Sequence, residues 1–350
     1  MKAGWRDCSL GEVATLQRGF DLPSRIRKPG EVPIVTSSGI GGTHCQAMVT
    51  APGVVTGRYG TIGEVYYIEQ DFWPLNTTLF IKDFHGNDPK FVASLLRTID
   101  FHSHSGKSGV PGVNRNDLHA LTVRLPRSVD EQRAISAVVS DIDALLAGLD
   151  RLIAKKRDLK QAAMQQLLTG QTRLPGFQAA WEIKRLGELL TICHGRNQRE
   201  VEDTSGLYPI FATGGQIGTA SRALYDKPSV LIGRKGTINQ PRYMETPFWT
   251  VDTLFYSAMK GDHNAKFLYY RFCLIDWMQY NEASGVPSLN ARTIENVEVA
   301  APAPAEQTAI ATVLSDMDAE LTTLEARRNK THSLKQAMMQ ELLTGKTRLV

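Results

Sequence analysis

Residues 128–170 read SVDEQRAISAVVSDIDALLAGLDRLIAKKRDLKQAAMQQLLTG, and this stretch has the pattern of one long helix. Ser128 and Glu131 form an S-x-x-E capping box at its start, and Gly170 supplies a left-handed stop at its end. Apolar residues recur in steps of three and four, with one interruption at Lys156. That spacing predicts a heptad seam, which keeps one face of a helix against a partner helix. At ~1.5 Å per residue the helix would be about 57 Å long, so we expect a helical partner rather than an ordinary core helix.

The partner lies in the same chain, because the sequence contains a tandem duplication. WRDCSLGEV at Trp5 returns as WEIKRLGEL at Trp181, VVTGRYGTIG returns as VLIGRKGTIN, SGVPGVN as SGVPSLN, and QQLLTGQTRL as QELLTGKTRL. The blocks recur in the same order at nearly constant spacing. The linker TRLPGFQAAW between the copies is nearly recreated by joining the final TRLV to the initial MKAGW. We therefore predict a circular, pseudo-two-fold arrangement with antiparallel long helices.

The second long helix is predicted over residues 304–345. Its seam is less regular, because Glu320 and Arg327 stand where the first copy has leucines, although Leu314 and Leu321 continue an adjacent stripe. We predict that the two helices pair as an intramolecular coiled coil. The alternative is two separate amphipathic helices, each lying on its own domain. The predicted seam consists of Ile135, Val138, Ile142, Leu145, Leu149, Leu152, Ile310, Val313, Met317, Leu324 and Leu334.

Each copy also contains a globular part before its long helix. Short apolar runs alternate there with Gly/Pro turns, which indicates strands, and a helical stretch and a closing strand follow. We predict a mixed α/β (α+β) fold for each part. The predicted segments are 1–127 for the first domain, 128–170 for the first long helix, 171–180 for a linker, 181–303 for the second domain, 304–345 for the second long helix and 346–350 for a tail.

The bulk properties are those of a globular protein. Hydrophobic residues make up 42% and charged residues 22% of the chain, and the net charge of +4 permits nucleic-acid binding without requiring it. No apolar run approaches the ~18 residues of a membrane span, and the first residues lack the apolar core of a signal peptide. The four cysteines are scattered, as expected of reduced thiols in the cytoplasm.

The sequence contains segments that resemble catalytic or metal-binding motifs, but each lacks residues that the motif requires. Gly106-Lys107-Ser108 and Gly345-Lys346-Thr347 both lack the first glycine of a Walker A motif, and the three glycines beginning at Gly57 do not have dinucleotide-binding spacing. His102-x-His104 has no counterpart in the second copy, and no Ser-His-Asp set or acid pair recurs in both. We therefore expect no catalysis, no metal and no cofactor in this chain.

Basic and polar residues on glycine-rich loops do recur. Arginine, lysine, asparagine and serine on loops are the side chains that contact phosphates and base edges in DNA. The alternative is a solvated loop whose glycines serve only the fold. Some of these residues lie in poorly matched segments, where we expect differing specificity. The candidate DNA-binding residues are Arg25, Arg27, Lys28, Arg58, Lys107, Ser108, Arg115 and Asn116 in the first copy, and Arg196, Arg199, Arg234, Lys235, Ser284, Asn290 and Arg292 in the second.

This set of motifs resembles the specificity (S) subunit of type I DNA restriction–modification systems. The resemblance rests on the paired W-x4-LGE openings, the GRYGTIG and GRKGTIN turns, and the EQRAI and EQTAI helix starts. It also includes SGVPGVN and SGVPSLN, the LLTGQTRL and LLTGKTRL ends, and Trp73 and Trp249 with the N-T-T and D-T that follow them. The resemblance covers essentially the full chain, in both copies and in the family's order.

The resemblance implies a non-catalytic subunit. Each globular part would be a target-recognition domain that binds one half of an asymmetric bipartite site in double-stranded DNA. The helices would be spacer regions that set the gap and bind methyltransferase (M) subunits, two in number, with restriction (R) subunits joining the complex. S-adenosylmethionine, ATP and Mg would be bound by those partners, since this chain lacks both N-P-P-[YF] and Walker A motifs. The rivals are a protein-only scaffold that bridges partners and a stand-alone DNA methyltransferase or nuclease.

Overall fold

The computed structural model describes residues 4–105 and 111–349, and the chain divides into two compact units. Unit 1 comprises Met1–Asp150 and Ala326–Val350, and unit 2 comprises Arg151–Glu325. Each unit therefore combines one globular part with the start of one long helix and the end of the other. The sequence-based division, which treated each long helix as a separate segment, differs because the helix ends carry buried leucines that join the globular cores.

Unit 1 contains three small sheets and short helices. Its strands are β1 (Trp5–Ser9), β2 (Thr15–Arg18), β3 (Val32–Thr36), β4 (Gly39–His44), β5 (Gly53–Gly57), β6 (Val65–Ile68), β7 (Trp73–Pro74), β8 (Thr78–Asp83) and β9 (Thr122–Pro126). Its helices are α1 (Leu10–Val13), α2 (Pro89–Leu96), α3 (Arg115–His119) and the start of α4 (Val129–Leu168). The sheets have the orders β2-β8-β5-β6, β4-β3-β7 and β1-β9.

Unit 2 repeats this plan strand for strand. Its strands are β10 (Glu182–Arg185), β11 (Leu190–His194), β12 (Tyr208–Ala212), β13 (Gly215–Ala220), β14 (Ser229–Gly233), β15 (Arg242–Met244), β16 (Trp249–Thr250), β17 (Leu254–Met259) and β18 (Glu298–Ala301). Its helices are α5 (Leu186–Leu189), α6 (Ala265–Leu274), α7 (Ala291–Glu295) and the start of α8 (Pro304–Leu342). The sheets β11-β17-β14-β15, β13-β12-β16 and β10-β18 match those of unit 1, and the mixed α/β prediction is confirmed.

The long helices α4 and α8 pair side by side in both units. As residue numbers rise along α4, those of its α8 partners fall, so the pairing is antiparallel as predicted. The interhelical ion pairs include Asp143–Lys335 at 2.6 Å and Asp150–Arg328 at 3.0 Å in unit 1, and Lys156–Glu320 at 2.7 Å, Arg157–Glu325 at 2.5 Å and Lys160–Asp318 in unit 2. Partly exposed pairs at the edge of a helix pair contribute only about 0–1 kcal/mol each, so apolar packing must supply most of the stabilisation.

The predicted seam is partly wrong. Its members Ile135, Leu149 and Ile310 are buried, and Val138, Ile142, Met317 and Leu324 are half-buried. Leu145, Leu152, Val313 and Leu334 are instead exposed, by 43%, 39%, 36% and 54%. The structure buries the stripe one residue further along, which contains Val139, Ile153, Leu314 and Leu321.

A lysine in the buried stripe of each helix explains why the apolar pattern gives that stripe, with Leu314 and Leu321, only an adjacent position. The buried stripe continues to Lys160 in α4 and to Lys335 in α8. The predicted stripe of α4, which contains Leu145 and Leu152, instead stays apolar as far as Leu159. The lysine side chains are only 21% and 20% exposed, and their ammonium groups reach Asp318 and Asp143 at the edge of the pair. Lysine can bury its aliphatic stem while its charge remains at the margin, so an apolar-only pattern selects the wrong stripe.

Two equivalent polar clusters fasten the helix ends to the globular parts. In unit 1 the buried carboxylate of Glu131 accepts hydrogen bonds from Trp5 Nε1 at 3.1 Å and Arg348 Nε at 3.0 Å. In unit 2 Glu306 accepts from Trp181 Nε1 at 3.2 Å and Arg173 Nε at 2.6 Å. These bonds account for the recurring tryptophan of W-x4-LGE, the glutamate of E-Q and the arginine of T-R-L. They also show that the tail in unit 1 occupies the place of the linker in unit 2.

This cluster corrects the predicted capping box at the start of α4. The Glu131 backbone N–H lies 3.4 Å from Ser128 Oγ, as the box requires, but the Glu131 carboxylate is bound by the tryptophan and arginine instead. A buried carboxylate favours these charged and aromatic N–H donors because they compensate for its lost hydration. The complete box forms at Ser9 and Glu12, at the start of α1.

Candidate nucleic-acid interface

The turn after β5 has a backbone that requires glycine. A Cβ on Gly57 would lie 1.7 Å from the carbonyl oxygen of Thr61, and one on Gly233, after β14, would lie 2.2 Å from that of Thr237. The glycines of GRYGTIG and GRKGTIN therefore close two equivalent tight turns.

Hydrogen bonds from two other motifs hold each turn in place. In unit 1 the Arg58 N–H donates to Thr77 O at 2.8 Å, and the Val113 N–H donates to Arg58 O at 3.0 Å. In unit 2 the Arg234 N–H donates to Thr253 O at 2.9 Å, and Leu289 N–H donates to Arg234 O at 2.9 Å. Because these contacts use only backbone atoms, the side chains of the turn can vary without changing the frame.

In unit 1 this frame borders a basic cleft of about 520 Å³. Arg58, Arg115 and Asn116, which were all predicted to contact DNA, line it together with Arg18, Tyr59 and His104. The Arg58 guanidinium lies over the Tyr59 ring, 4.6 Å from its centroid, and Arg18 is paired with Asp21 at 3.2 Å. Asp117 is the acidic member of the lining.

In unit 2 the equivalent cleft has a volume of about 310 Å³. The predicted residues Arg234, Lys235 and Asn290 line it together with His194, Ser288 and Glu282. Arg234 Nη1 donates to Asp252 O at 3.3 Å, and Glu282 accepts a hydrogen bond from Thr293 Oγ1 at 2.5 Å. The Glu282 carboxylate therefore already accepts one hydrogen bond from within the protein.

The two clefts share a frame but not their side chains. Arg58 and Arg234 occupy equivalent positions in the GRxG turns, and Asn114 and Asn290 both cap the short helix that follows. Other equivalent positions differ, and among them Arg18 corresponds to His194, Tyr59 to Lys235 and Arg115 to Ala291. Asn116 corresponds to Arg292, which is not among the residues that line the unit 2 cleft. Side chains that differ on an unchanged backbone are the expected basis of two binding specificities.

The other predicted residues lie away from the clefts or have structural partners. Arg25 and Lys28 are exposed around a short 3-10 turn, and Arg27 Nε donates to Leu22 O at 3.3 Å. Arg199, Arg292 and Ser284 are exposed in unit 2. The Arg196 side chain is also exposed, but its carbonyl accepts from Trp249 Nε1 at 2.8 Å. Lys107 and Ser108 lie outside the described residues.

Asn290 has a structural role that the sequence-based prediction omitted. Its side-chain oxygen accepts the Arg292 N–H at 2.9 Å and so caps α7. Sequence reasoning also missed Arg18, His194, Tyr59 and His104 as cleft residues. A comparison of the two copies position by position could have found Arg18 and His194, because they end equivalent strands and differ in chemistry.

The clefts are electropositive. Within residues 4–105 and 111–349, the cleft residues Arg58, Arg115, Arg234 and Lys235 form no ion pair with a carboxylate. Uncompensated guanidinium and ammonium groups favour phosphate oxygens and the acceptor edges of bases. The same described part of the chain contains no cluster of His, Cys, Asp and Glu that could hold a metal ion, and none of its helices could cross a membrane.

A histidine supports the helix that carries Arg115. His119 Nε2 accepts the Leu16 N–H at 2.8 Å, which joins α3 to β2. Burial, followed by the positive charges of Arg115 and His85, lowers the pKa of His119. The neutral imidazole is therefore the form that fits this site. In unit 2 Glu295 Oε1 accepts the equivalent Ile192 N–H at 2.8 Å.

Comparison with known proteins identifies the family. The family model described as "Type I restriction modification DNA specificity domain" matches residues 2–155 and, a second time, residues 179–331. The chain belongs to this family. The predicted resemblance to type I specificity subunits is thereby confirmed, and the two matches coincide with the two copies of the duplication.

Individual relatives are distant. The chain is 25% identical to the type I restriction enzyme EcoDI specificity subunit of Escherichia coli over 166 residues, which is 47% of this chain but only 37% of that protein. It is 22% identical to the putative type I specificity subunit S.MpnORF638P of Mycoplasma pneumoniae over 302 residues, or 79% of this chain and 78% of the relative.

Solved structures share the fold. The S subunit of a type I restriction–modification system from M. genitalium superposes with a TM-score of 0.73 at 17% identity, covering 97% of this chain and 96% of that one. The HsdS subunit of Thermoanaerobacter tengcongensis gives a TM-score of 0.50 at 17% identity, with 99% and 98% covered. At such identities the likeness establishes the architecture, and specificity must be argued from this chain's own residues.

Proposed function

We propose that this specificity subunit reads an asymmetric bipartite site in double-stranded DNA, with one half-site bound by each unit. One observation carries the proposal: two equivalent basic clefts are built on the same backbone frame and lined by different side chains. An unchanged frame gives both units the same way of approaching DNA. Different cleft side chains give each unit its own preferred bases, so the two half-sites differ.

The long helices serve as the spacer between the half-sites and as the docking surface for methyltransferase subunits. α4 has 40 residues and α8 has 39, and their length and their pairing by apolar stripes support the spacer role. Docking is supported by leucines on the outer face of α4, such as Leu152 and Leu159, which are 39% and 48% exposed one heptad apart. Such a stripe suits the helix of a partner. Adenine methylation and ATP-dependent cleavage, with their cofactors, belong to the M and R subunits.

Methylation mapping with a length variant tests the spacer. The full chain is expressed with its methyltransferase subunit, and methylated adenines are located by single-molecule sequencing. Inserting one helical turn of four residues near Leu167 lengthens α4 by about 6 Å, which corresponds to roughly two base pairs. The tolerated gap should change while both half-sites stay the same. A matched insertion at Pro175-Gly176, in the exposed linker, should leave the gap unchanged.

Altered half-sites with an unaltered gap would contradict the spacer role. DNA binding is tested separately, by measuring affinity for a bipartite duplex across a salt series with the methyltransferase subunit present. Binding through phosphate contacts loses affinity steeply as salt rises. An affinity independent of salt, or the absence of any preference for the bipartite duplex, would instead favour a protein-only scaffold.

A further inference from the structure

The clefts differ most clearly at the start of the short helix that follows the S-G-V-P segment. In unit 1 this helix is α3, which begins with Arg115 and Asn116, and in unit 2 it is α7, which begins with Ala291 and Arg292. The caps are the same: Asn114 Oδ1 accepts the Asn116 N–H at 3.0 Å, and Asn290 Oδ1 accepts the Arg292 N–H at 2.9 Å. The two helices therefore have the same length and the same cap, and their first side chains distinguish them.

In unit 1 the side chains of Arg115 and Asn116 place two hydrogen-bonding groups next to each other. Both are exposed and line the cleft, and the Arg115 guanidinium lies beside the Asn116 amide, with Nε and Nη2 each 3.4 Å from Oδ1. These contacts are long, so they orient the groups without consuming their hydrogen-bonding capacity. Neighbouring side chains from one capped turn present two adjacent recognition groups at a fixed separation.

The shared arginine of the GRxG turn has a different environment. Arg58 lies against the Tyr59 ring, and Arg234 donates to the Asp252 carbonyl. Arg58 and Arg234 are retained at equivalent positions while neighbouring positions differ. A residue that both half-sites require equally must recognise something that both contain, and every DNA site contains phosphates.

Resting on the proposed function, we propose that Arg115 and Asn116 read two neighbouring purines of the half-site bound by unit 1. Arg115 contacts a guanine and Asn116 contacts an adenine, whereas Arg58 and Arg234 anchor the phosphate backbone. A guanidinium fork matches the O6 and N7 acceptors of guanine, and an amide matches the N6 donor and N7 acceptor of adenine. Unit 2 has Ala291 in place of Arg115, so this turn supplies one base contact fewer.

Methylation mapping of single variants tests the assignment in the complete complex. Arg115→Ala should remove the requirement for one guanine in the first half-site, with a loss of discrimination of about 5- to 150-fold, the equivalent of the 1–3 kcal/mol of one bidentate pair. Asn116→Ala should relax an adjacent adenine. Arg58→Ala should weaken binding to all duplexes by a similar factor and reduce the salt dependence by about one phosphate contact.

Matched variants in unit 2 complete the design. Arg292→Ala should relax only the second half-site, and the double substitution Ala291→Arg, Arg292→Asn should shift the second half-site towards guanine–adenine. Arg115→Lys keeps the charge but loses the fork, so it should relax the guanine requirement while preserving affinity, even if Arg115→Ala fails to fold. Thermal unfolding of each variant identifies any that are unstable.

The two proposals fail in distinguishable ways. A wild-type complex that shows no preference for any bipartite duplex refutes the proposed function. A wild-type complex with a defined site, combined with an Arg115→Lys or Arg115→Ala complex that methylates the same site with the same guanine requirement, refutes the purine assignment alone. A change of base preference in Arg58→Ala likewise contradicts the phosphate role of Arg58.

Discussion

Leu343, which immediately follows α8, provides the sharpest test of how the chain is divided. It is 3% exposed and belongs to the core of unit 1, together with Trp5, Leu125 and Ile135. A Leu→Ala change at a buried site costs about 2.7–5.0 kcal/mol, because both the transfer free energy and a cavity contribute. Since Leu343 lies at a helix end that can partly relax, we expect Leu343→Ala to destabilise unit 1 by about 3 kcal/mol. If local opening controls exchange, this loss accelerates amide exchange by about 150-fold.

Hydrogen exchange measured by mass spectrometry on the full chain locates the effect. Peptides from β1, β9 and the start of α4 should lose protection in Leu343→Ala, although they lie far from residue 343 in sequence. Peptides from β10–β18 should keep theirs. The equivalent substitution Leu168→Ala, at a residue with 0% exposure in the core of unit 2, should give the reciprocal pattern.

Leu334→Ala is the matched control. Leu334 was predicted to lie in the seam but is 54% exposed, so its truncation should change stability by less than about 0.5 kcal/mol. Loss of protection confined to α8 in Leu343→Ala would refute the assignment of the helix end to unit 1. A large effect of Leu334→Ala would refute the corrected seam.

The remaining predictions concern the frame of the unit 1 cleft. Because the pKa of His119 is lowered in the folded state, unit 1 should have its full stability above the ordinary histidine pKa of about 6.5 and lose stability as the pH falls from there through the folded pKa. Denaturant titrations between pH 5 and 7 measure this loss as a fall in the free energy of unfolding. His119→Glu, which copies Glu295 of unit 2, should make that free energy less dependent on pH. The same pH dependence in the variant would contradict the role of His119. Gly57→Ala should abolish methylation that depends on the first half-site, because the added Cβ would clash with the Thr61 carbonyl oxygen. Gly148→Ala, at a position in α4 with open space around it, should leave methylation intact. Equal behaviour of the two variants would argue against a rigid turn at Gly57.

Sequence reasoning succeeded where a signal was long or repeated. The duplication, the paired helices and their antiparallel sense all followed from patterns extending over many residues. Strands such as β5 and β8 were recognisable as apolar runs bounded by turns. β4, with the sequence GIGGTH, was not, because its glycines give no apolar alternation and its place in the sheet depends on hydrogen bonds to β3.

The candidate site was predictable only in part, for a related reason. Arg58 and Arg234 lie within recurring motifs, and comparing the copies draws attention to them. Arg18 ends β2 and lies in the lining of the cleft because β2 pairs with β8. This pairing joins residues that are distant in sequence, so the local pattern around Arg18 does not reveal it. The seam error has the same origin, since the choice between Leu152 and Ile153 depends on a rotation of the helix by one residue. Local composition does not encode that rotation when a lysine occupies the buried stripe.

The recurring motifs and the differing residues therefore perform separate tasks. Glycines 57 and 233 close turns, Glu131 and Glu306 bind the helix ends, and the S-G-V-P segment of unit 2 hydrogen-bonds a turn through Pro287. All of these contacts stabilise the frame, and none distinguishes one base from another. The residues that identify the family are therefore not the ones that we propose to select bases. Because the frame uses backbone atoms and buried groups, exchanging cleft residues such as the exposed Arg115 and the half-buried Ala291 should alter base preference without refolding either unit.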